Sequence, residues 1–518
     1  MGKQKGGVQA RAPKPSGVSK KKAKLEEGVA DRGTLWSIIL PLVFLVVSVL
    51  VGYILYPKTR LPTSKEWTPY TVTGNVSVKT LPYPRADFAQ MCAKSERPLV
   101  LRNSVVTQWK AAKLWTPEYL QTRLKTLSEV YENNNRWFGP YFDYSKPLTS
   151  SAVRVNEYRT NLTLSSEEFF HRIQHPVGGR FLYLTGGIEQ LGRWAEGHIQ
   201  PISELLSLNP SRSSINVWIG QPHVIAHCHY DGYHNFYAQL YGTKKFTLFR
   251  PINWPGLYPY PFLHPSHAQA QVNVSDKMDV ERFPLVRSVE AVEVVLEPGD
   301  LLYMPPLWFH HVESMEVSIS VNVWTDSRQT ELVEKMFSVP LPLADETLQW
   351  RTAKTRATAT ALLIYRLCEN MCKYQTCADI HTDKFVESDI DESQEKILSD
   401  KVLYFVHRLW STRYRTLMQK KQLPSQLHNR ESILCEGGAT EEDMAAIKEA
   451  DRVLQGVKFG AYVIEMAQLV RGLPRDTWEL WVGNFIEYVV VASGTVEDVK
   501  EVGVYLKMFS SCIVLYAG

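Results

Sequence analysis

The sequence predicts a mainly β core of the sandwich or barrel kind, with flanking helices, an all-α C-terminal region and one membrane-crossing segment. Three observations carry this. From about 211 to 325, short runs rich in β-branched and aromatic residues alternate with Pro/Gly turns. Beyond about 330 the apolar spacing lengthens to that of a helix. Leu35 to Tyr56 is a run of 22 residues without a charge.

Residues 1–33 hold nine Lys/Arg against three acidic residues, so this tail carries +6 of a total of +4 and leaves −2 for the rest. Its Gly/Lys/Pro composition predicts a disordered, cytosolic tail. A body at −2 lacks the basic footprint of a nucleic-acid binder. The apolar run, assigned to 34–56, is about 33 Å long as a helix, enough for a hydrocarbon core of roughly 30 Å. A cleaved signal peptide has a shorter core, followed by small residues; Gly52-Tyr-Ile-Leu-Tyr-Pro offers no such site. The basic flank precedes the span, so the positive-inside rule sends the body across the membrane as a type II protein. Three sequons, at Asn75, Asn161 and Asn273, agree with a lumenal, secretory-pathway body that is glycosylated.

Residues 57–80 read as a polar stem and 81–325 as the folded core. Arg97-Pro-Leu-Val-Leu-Arg predicts a short buried strand, and Thr116-Pro-Glu a capped helix start. Strands follow around Ile215–Gly220, Lys245–Arg250, Glu293–Leu296, Leu301–Met304 and Val317–Trp324. Residues 326–518 read as helical, with segments at Leu398–Leu409, Val453–Val470 and Trp478–Ala492. Seven cysteines, three of them clustered at Cys368, Cys372 and Cys377, make neither a disulfide scaffold nor a zinc site, because the second ligand hook is missing.

The chemistry concentrates in HVIAHCHYDGYHNFYAQLYGTKKFTLFRP. On an extended segment His229 and Asp231 point to the same face. With a second imidazole from His310 or His311 they form the two-histidine, one-carboxylate set of non-haem Fe(II) oxygenases. His223, His227 and His234 lack a carboxylate at +2 and read as loop or lining residues. Lys244 or Lys245 would supply a cation; buried without a partner it would be costly, which a dicarboxylate cosubstrate explains. Glu297-Pro-Gly-Asp300 reads as a turn.

Over roughly residues 80–325 the chain resembles the JmjC/cupin-like 2-oxoglutarate oxygenases, and within them the asparaginyl hydroxylase factor inhibiting HIF. The likeness rests on the segment above together with LYPYPFLHPSHAQAQVNV, ERFP, EPGDLLYMPPLWFHHVES and SVNVW. It implies a double-stranded β-helix (jelly roll, cupin). It also implies His229, Asp231 and His310 as iron ligands and catalytic centre, and Lys244 on the far carboxylate of 2-oxoglutarate. Tyr183, Asn235 and Asn322 match cosubstrate-pocket positions; Gln269 and Trp324 match positions that contact the target residue. Two positions depart from the pattern. Ala226 stands where the resemblance expects a Thr that contacts the cosubstrate, and Ala268 where it expects an Arg beside the target residue, so asparagine is not carried across as the substrate.

The expected function is therefore an Fe(II)-, 2-oxoglutarate- and O2-dependent dioxygenase that hydroxylates a protein side chain, releasing succinate and CO2. The rival is a catalytically weak or inactive lumenal scaffold; a nucleic-acid substrate is opposed by charge and topology. The resemblance also suggests that residues 330–370 make a homodimer.

Overall fold

The computed structural model describes residues 69–80, 88–102, 104–138, 160–176, 178–206, 208–262, 266–275, 279–341, 352–376, 441–455 and 459–493. The expected tail, the 34–56 anchor, the Leu398–Leu409 helix and the Cys368–Cys377 cluster's side chains lie outside them. Among the described residues no helix is long and apolar enough to cross a membrane. Cys92 and Cys228 are buried free thiols.

Fifteen strands are described: β1 Thr71–Asn75, β2 Ser77–Thr80, β3 Leu99–Arg102, β4 Thr126–Asn133, β5 Trp137–Phe138, β6 Thr160–Ser165, β7 Phe181–Gly187, β8 Ser213–Gly220, β9 Ile225–His229, β10 His234–Tyr241, β11 Lys244–Phe249, β12 Glu290–Leu296, β13 Leu301–Met304, β14 Phe309–Ser314 and β15 Ser318–Thr325. They form two sheets, ordered β1-β12-β11-β14-β9-β5 and β2-β3-β13-β10-β15-β8-β7-β4-β6. The eight strands β8 to β15 divide four to each sheet, β12-β11-β14-β9 facing β13-β10-β15-β8, with antiparallel neighbours. This is the double-stranded jelly roll of a cupin.

The alternation that predicted the strands also sorts their faces. Tyr237, Phe246, Leu248, Leu302, Met304 and Val312 pack between the sheets. Val217, Ile219, Phe236, Ala238, Val321 and Val323 point out of the second sheet into a core shared with the N-terminal helices. Among these helices, α1 (Pro117–Arg123) starts as its sequence requires. Thr116 Oγ1 accepts from the Tyr119 N–H at 3.2 Å, and proline at the first position wastes no donor. Helix α2 (Ser166–Gln174) is capped likewise by Ser165. Gly242 makes the β10–β11 turn with φ +65, where an added Cβ would strike the Val317 carbonyl.

One boundary moves. Residues 71–80, expected as stem, are strands: β1 runs parallel to β12 and β2 parallel to β3. TVTGN and SVKT are polar enough to read as linker, yet an edge strand needs only backbone pairing and tolerates an exposed face.

Beyond residue 326 the described residues include helices α3 (Arg328–Ser338), α4 (Ala353–Thr376), α5 (Glu441–Gln455), α6 (Phe459–Arg471) and α7 (Arg475–Ser493). The expected single segment Val453–Val470 is divided between α5 and α6. Ala357 through Ile364 of α4 are consecutively buried, so this stretch of the helix is covered on all sides. That apolar face, within the segment expected to dimerise, is already occupied intramolecularly by α5, α6 and α7.

Candidate active site

The site lies between the sheets, in a cavity of about 250 Å³. His229 ends β9 and His310 sits directly opposite it on β14, so the two imidazoles are cross-strand partners with ring centroids 4.1 Å apart. Asp231 follows in the turn after β9. Its backbone carbonyl accepts from the Leu307 N–H at 2.7 Å, and its carboxylate lies 3.5 Å from His310 Nε2. Ligand atoms of the three residues lie within 4.8 Å of one another, close enough to hold one metal ion.

Both imidazoles are oriented through their second nitrogen. His229 Nδ1 is 2.6 Å from the His227 carbonyl and His310 Nδ1 is 3.0 Å from the Trp308 carbonyl. A backbone acceptor at Nδ1 keeps the proton there and leaves the Nε2 lone pair free for a metal. Burial holds His310 down at about 4, against the opposing pull of Asp231, so at neutral pH it is an uncharged donor. The donor set, two imidazoles and one carboxylate, fits Fe(II).

Lys244, at the start of β11, is fully buried. Its Nζ donates to Tyr237 Oη at 2.7 Å and to Tyr183 Oη at 3.4 Å. Among the described residues no carboxylate pairs with it, and burial lowers its pKa to about 7. Lys245 faces the other way and pairs with Glu293 at 2.9 Å. His311 likewise turns from the metal-ligand pair and meets Ser275 Oγ at 3.1 Å through Nε2.

A chain of side-chain hydrogen bonds leads to the carboxylate. Trp218 Nε1 donates to Asn322 Oδ1 (2.8 Å), Asn322 Nδ2 to Asn235 Oδ1 (3.0 Å), and Asn235 Nδ2 to Asp231 Oδ2 (3.4 Å). The indole can only donate, so it sets the orientation of both amides and aims the last donor at Asp231. Gln269 forms an isolated bridge with His229 and lines the cavity beside Trp324. Trp324 stands T-shaped against Trp218, 6.2 Å between centroids. Ala226 also lines the cavity, without a hydroxyl; Ala268 has φ +68 and packs on the helical side.

Eight of the nine sequence-selected residues thus line one space, and the ninth, Lys244, lies behind it on the hydroxyls of Tyr183 and Tyr237. Sequence reasoning missed Tyr237, Trp218, Tyr131 and Thr185 of the lining. Period two held the signal: Tyr237 lies two residues from Asn235 on β10, and Thr185 two from Tyr183 on β7. His227, read as lining, does line the cavity, with Nε2 held 2.7 Å from the Ala270 carbonyl.

Residues 85–331 match a family described as a cupin-like domain. Jumonji C domain-containing protein 5 of Drosophila melanogaster is 38% identical over 287 residues, covering 53% of this chain and 65% of the relative. The jelly roll of β8 to β15 falls within this match. The chain also matches lysine-specific demethylase JMJ30 of Arabidopsis thaliana, 35% identical over 228 residues, covering 44% of this chain and 49% of the relative. The human bifunctional peptidase and (3S)-lysyl hydroxylase JMJD7 is 26% identical over 263 residues, covering 44% and 77%. The chain thus spans 65% and 49% of the first two relatives. Its α4 to α7 lie beyond the region that matches the family.

Proposed function

We propose that this chain is an Fe(II)- and 2-oxoglutarate-dependent dioxygenase that hydroxylates a protein side chain. The observation that carries the reading is the fully buried Lys244, whose hydrogen-bond partners among the described residues are the hydroxyls of Tyr183 and Tyr237, two residues that line the cavity of the His229/Asp231/His310 set. A buried cation without a counter-charge is costly, and an anionic cosubstrate would offset that cost.

When bound, Fe(II), 2-oxoglutarate and O2 supply the oxidising chemistry, and succinate and CO2 leave. His229, Asp231 and His310 would hold the metal on one face. Lys244 would hold the far carboxylate with the Tyr237 and Tyr183 hydroxyls beside it, Asn235 and Asn322 would orient Asp231, and Gln269 and Trp324 would meet the target side chain. The aromatic lining of Phe138, Tyr183, Trp218 and Phe246 excludes water around these groups. The names of the relatives refer to lysyl groups of proteins, which supports a protein substrate. The body would lie in the endoplasmic reticulum or a later secretory compartment, anchored by 34–56, with Asn75, Asn161 and Asn273 as glycan acceptors; Asn75 and Asn161 are exposed.

His229→Ala or Asp231→Ala is expected to abolish 2-oxoglutarate turnover in the purified protein, and succinate release at the wild-type rate from either would refute the assignment. Ala226, which removes a hydroxyl from the cavity, favours a second reading, a lumenal scaffold without turnover. Metal-dependent binding of 2-oxoglutarate supports the enzyme; its absence supports the scaffold.

A further inference from the structure

Helix α7 lies outside the cupin-like region, yet it touches the segment that carries the metal ligands. Along it run polar residues with partners on the barrel side, half-exposed at its start and buried further along. Asp476 Oδ2 accepts from Arg250 Nε at 3.1 Å and Glu479 Oε2 from Trp254 Nε1 at 2.7 Å. Asn484 Nδ2 donates to Tyr230 Oη at 3.3 Å, and Glu487 Oε2 accepts from the Phe262 N–H at 2.5 Å. The offsets of 3, 8 and 11 from Asp476 keep to one helical face. Asn484 is 5% and Glu487 1% exposed. Buried polar groups are costly unless satisfied, so these contacts hold α7 in one position and rotation.

One of these contacts, and a further one from Trp481, converge on the turn that carries Asp231. Tyr230 separates His229 from Asp231, and its ring points out of the barrel, packed edge-on against Phe309 at 4.9 Å. Its hydroxyl ends on Asn484. Gly232, the next residue after Asp231, is covered by the Trp481 indole, whose Cη2 lies 3.1 Å from where a Cβ would stand. Thr330 of α3 fixes the same turn from another side, donating to the Gly232 carbonyl at 2.9 Å, and Trp481 Nε1 reaches Gln329 of α3 at 3.4 Å. Asp231 sits on a turn, not within a strand, so β pairing alone does not set the direction of its carboxylate.

We propose that Asn484 and Trp481 of α7 are positioning residues for the metal centre: through Tyr230 and Gly232 they set the Asp231 turn, so the C-terminal helical region is an integral part of the active site. The proposal rests on the His229/Asp231/His310 reading. Because α7 approaches from outside the barrel, it acts on the metal end of the cavity and leaves the Lys244 end untouched. Outer partners of metal ligands are typically worth 10- to 100-fold in metal affinity.

The test uses the full-length protein and Co(II) alone as the probe, with binding read from its visible absorption. Asn484→Ala is expected to raise the Co(II) Kd about tenfold. Tyr230→Phe, which keeps the ring and its packing, is expected to do the same, and the double variant no more than either single one. Trp481→Ala should weaken Co(II) and Trp481→Phe restore part of it, while Glu479→Gln, which alters the α7 contact to Trp254 rather than one to the turn, keeps the wild-type Kd. In turnover, kcat falls and the KM for 2-oxoglutarate stays. Wild-type Co(II) affinity in both Asn484→Ala and Tyr230→Phe overturns the proposal. So does a loss in Glu479→Gln as large as in Asn484→Ala, which would mark α7 as merely structural. If the wild-type chain binds no more Co(II) than His229→Ala, the metal reading itself falls and this inference falls with it.

Discussion

Lys244→Met removes the buried amine that an anionic ligand would hold in its charged form. Methionine has a similar length and no charge, and the lysine it replaces is fully buried with two phenol hydroxyls for partners. Truncating one member of a buried, hydrogen-bonded charge pair costs about 2–5 kcal/mol. At roughly 1.4 kcal/mol per factor of ten, the affinity for 2-oxoglutarate should fall about 30-fold to a few thousand-fold. The ligand-free protein should respond the opposite way, because an apolar side chain spares the cost of a buried cation, so Tm is unchanged or higher. The pH dependence follows from the lysine's pKa of about 7, against an ordinary value of 10.5. Between these values the unfolded chain holds a proton that the folded chain lacks. The stability of the ligand-free protein therefore rises with pH across this window, and Lys244→Met loses that slope. Cosubstrate binding runs the other way: it needs the ammonium, so affinity is level below about pH 7 and weakens up to about tenfold per pH unit above it. The assay is a titration of 2-oxoglutarate against tryptophan fluorescence from pH 6 to 9, paired with thermal denaturation. Wild-type affinity in Lys244→Met, or binding that strengthens from pH 7 to 9, refutes the reasoning.

Lys245→Ala is the matched control: its pair with Glu293 is partly exposed, so it should cost under about 1 kcal/mol of stability and leave 2-oxoglutarate binding intact. Asn322→Leu breaks the chain from Trp218 to Asp231 and should lower metal affinity about tenfold, read by Co(II) absorption. Gly232→Val places a branched side chain against Trp481 and should lower Tm by overpacking worth about 1–3 kcal/mol, with partial recovery when combined with Trp481→Phe. Endoglycosidase treatment should shift the mobility of protein from intact microsomes, and unglycosylated, protease-accessible protein there would rule out the lumenal reading.

What was legible in the sequence was what local chemistry determines. Alternating β-branched runs marked the strands, Thr116 before Pro117 marked a helix start, and His229 and Asp231 two residues apart marked a shared face. Period two could not say which face is inside. His310 and His311, or Lys244 and Lys245, are equivalent to a pattern. Spacing left both pairs open, and only the resemblance chose between their members. The cross-strand register that sets His310 opposite His229, eighty-one residues earlier, comes from the stacking of two whole sheets. Exposed strands escaped the reading for a related reason: TVTGN and SVKT carry no apolar face, and their place is decided by partners more than two hundred residues away for β1 and about twenty for β2. The polar stripe of α7 was hidden too, since nothing in the helical spacing of Trp478–Ala492 marks Asn484 and Glu487 as buried until the barrel is packed against them. The sequence determined which groups are available for chemistry; the tertiary structure decided which of them meet, because inside and outside are defined only once distant segments bury one another.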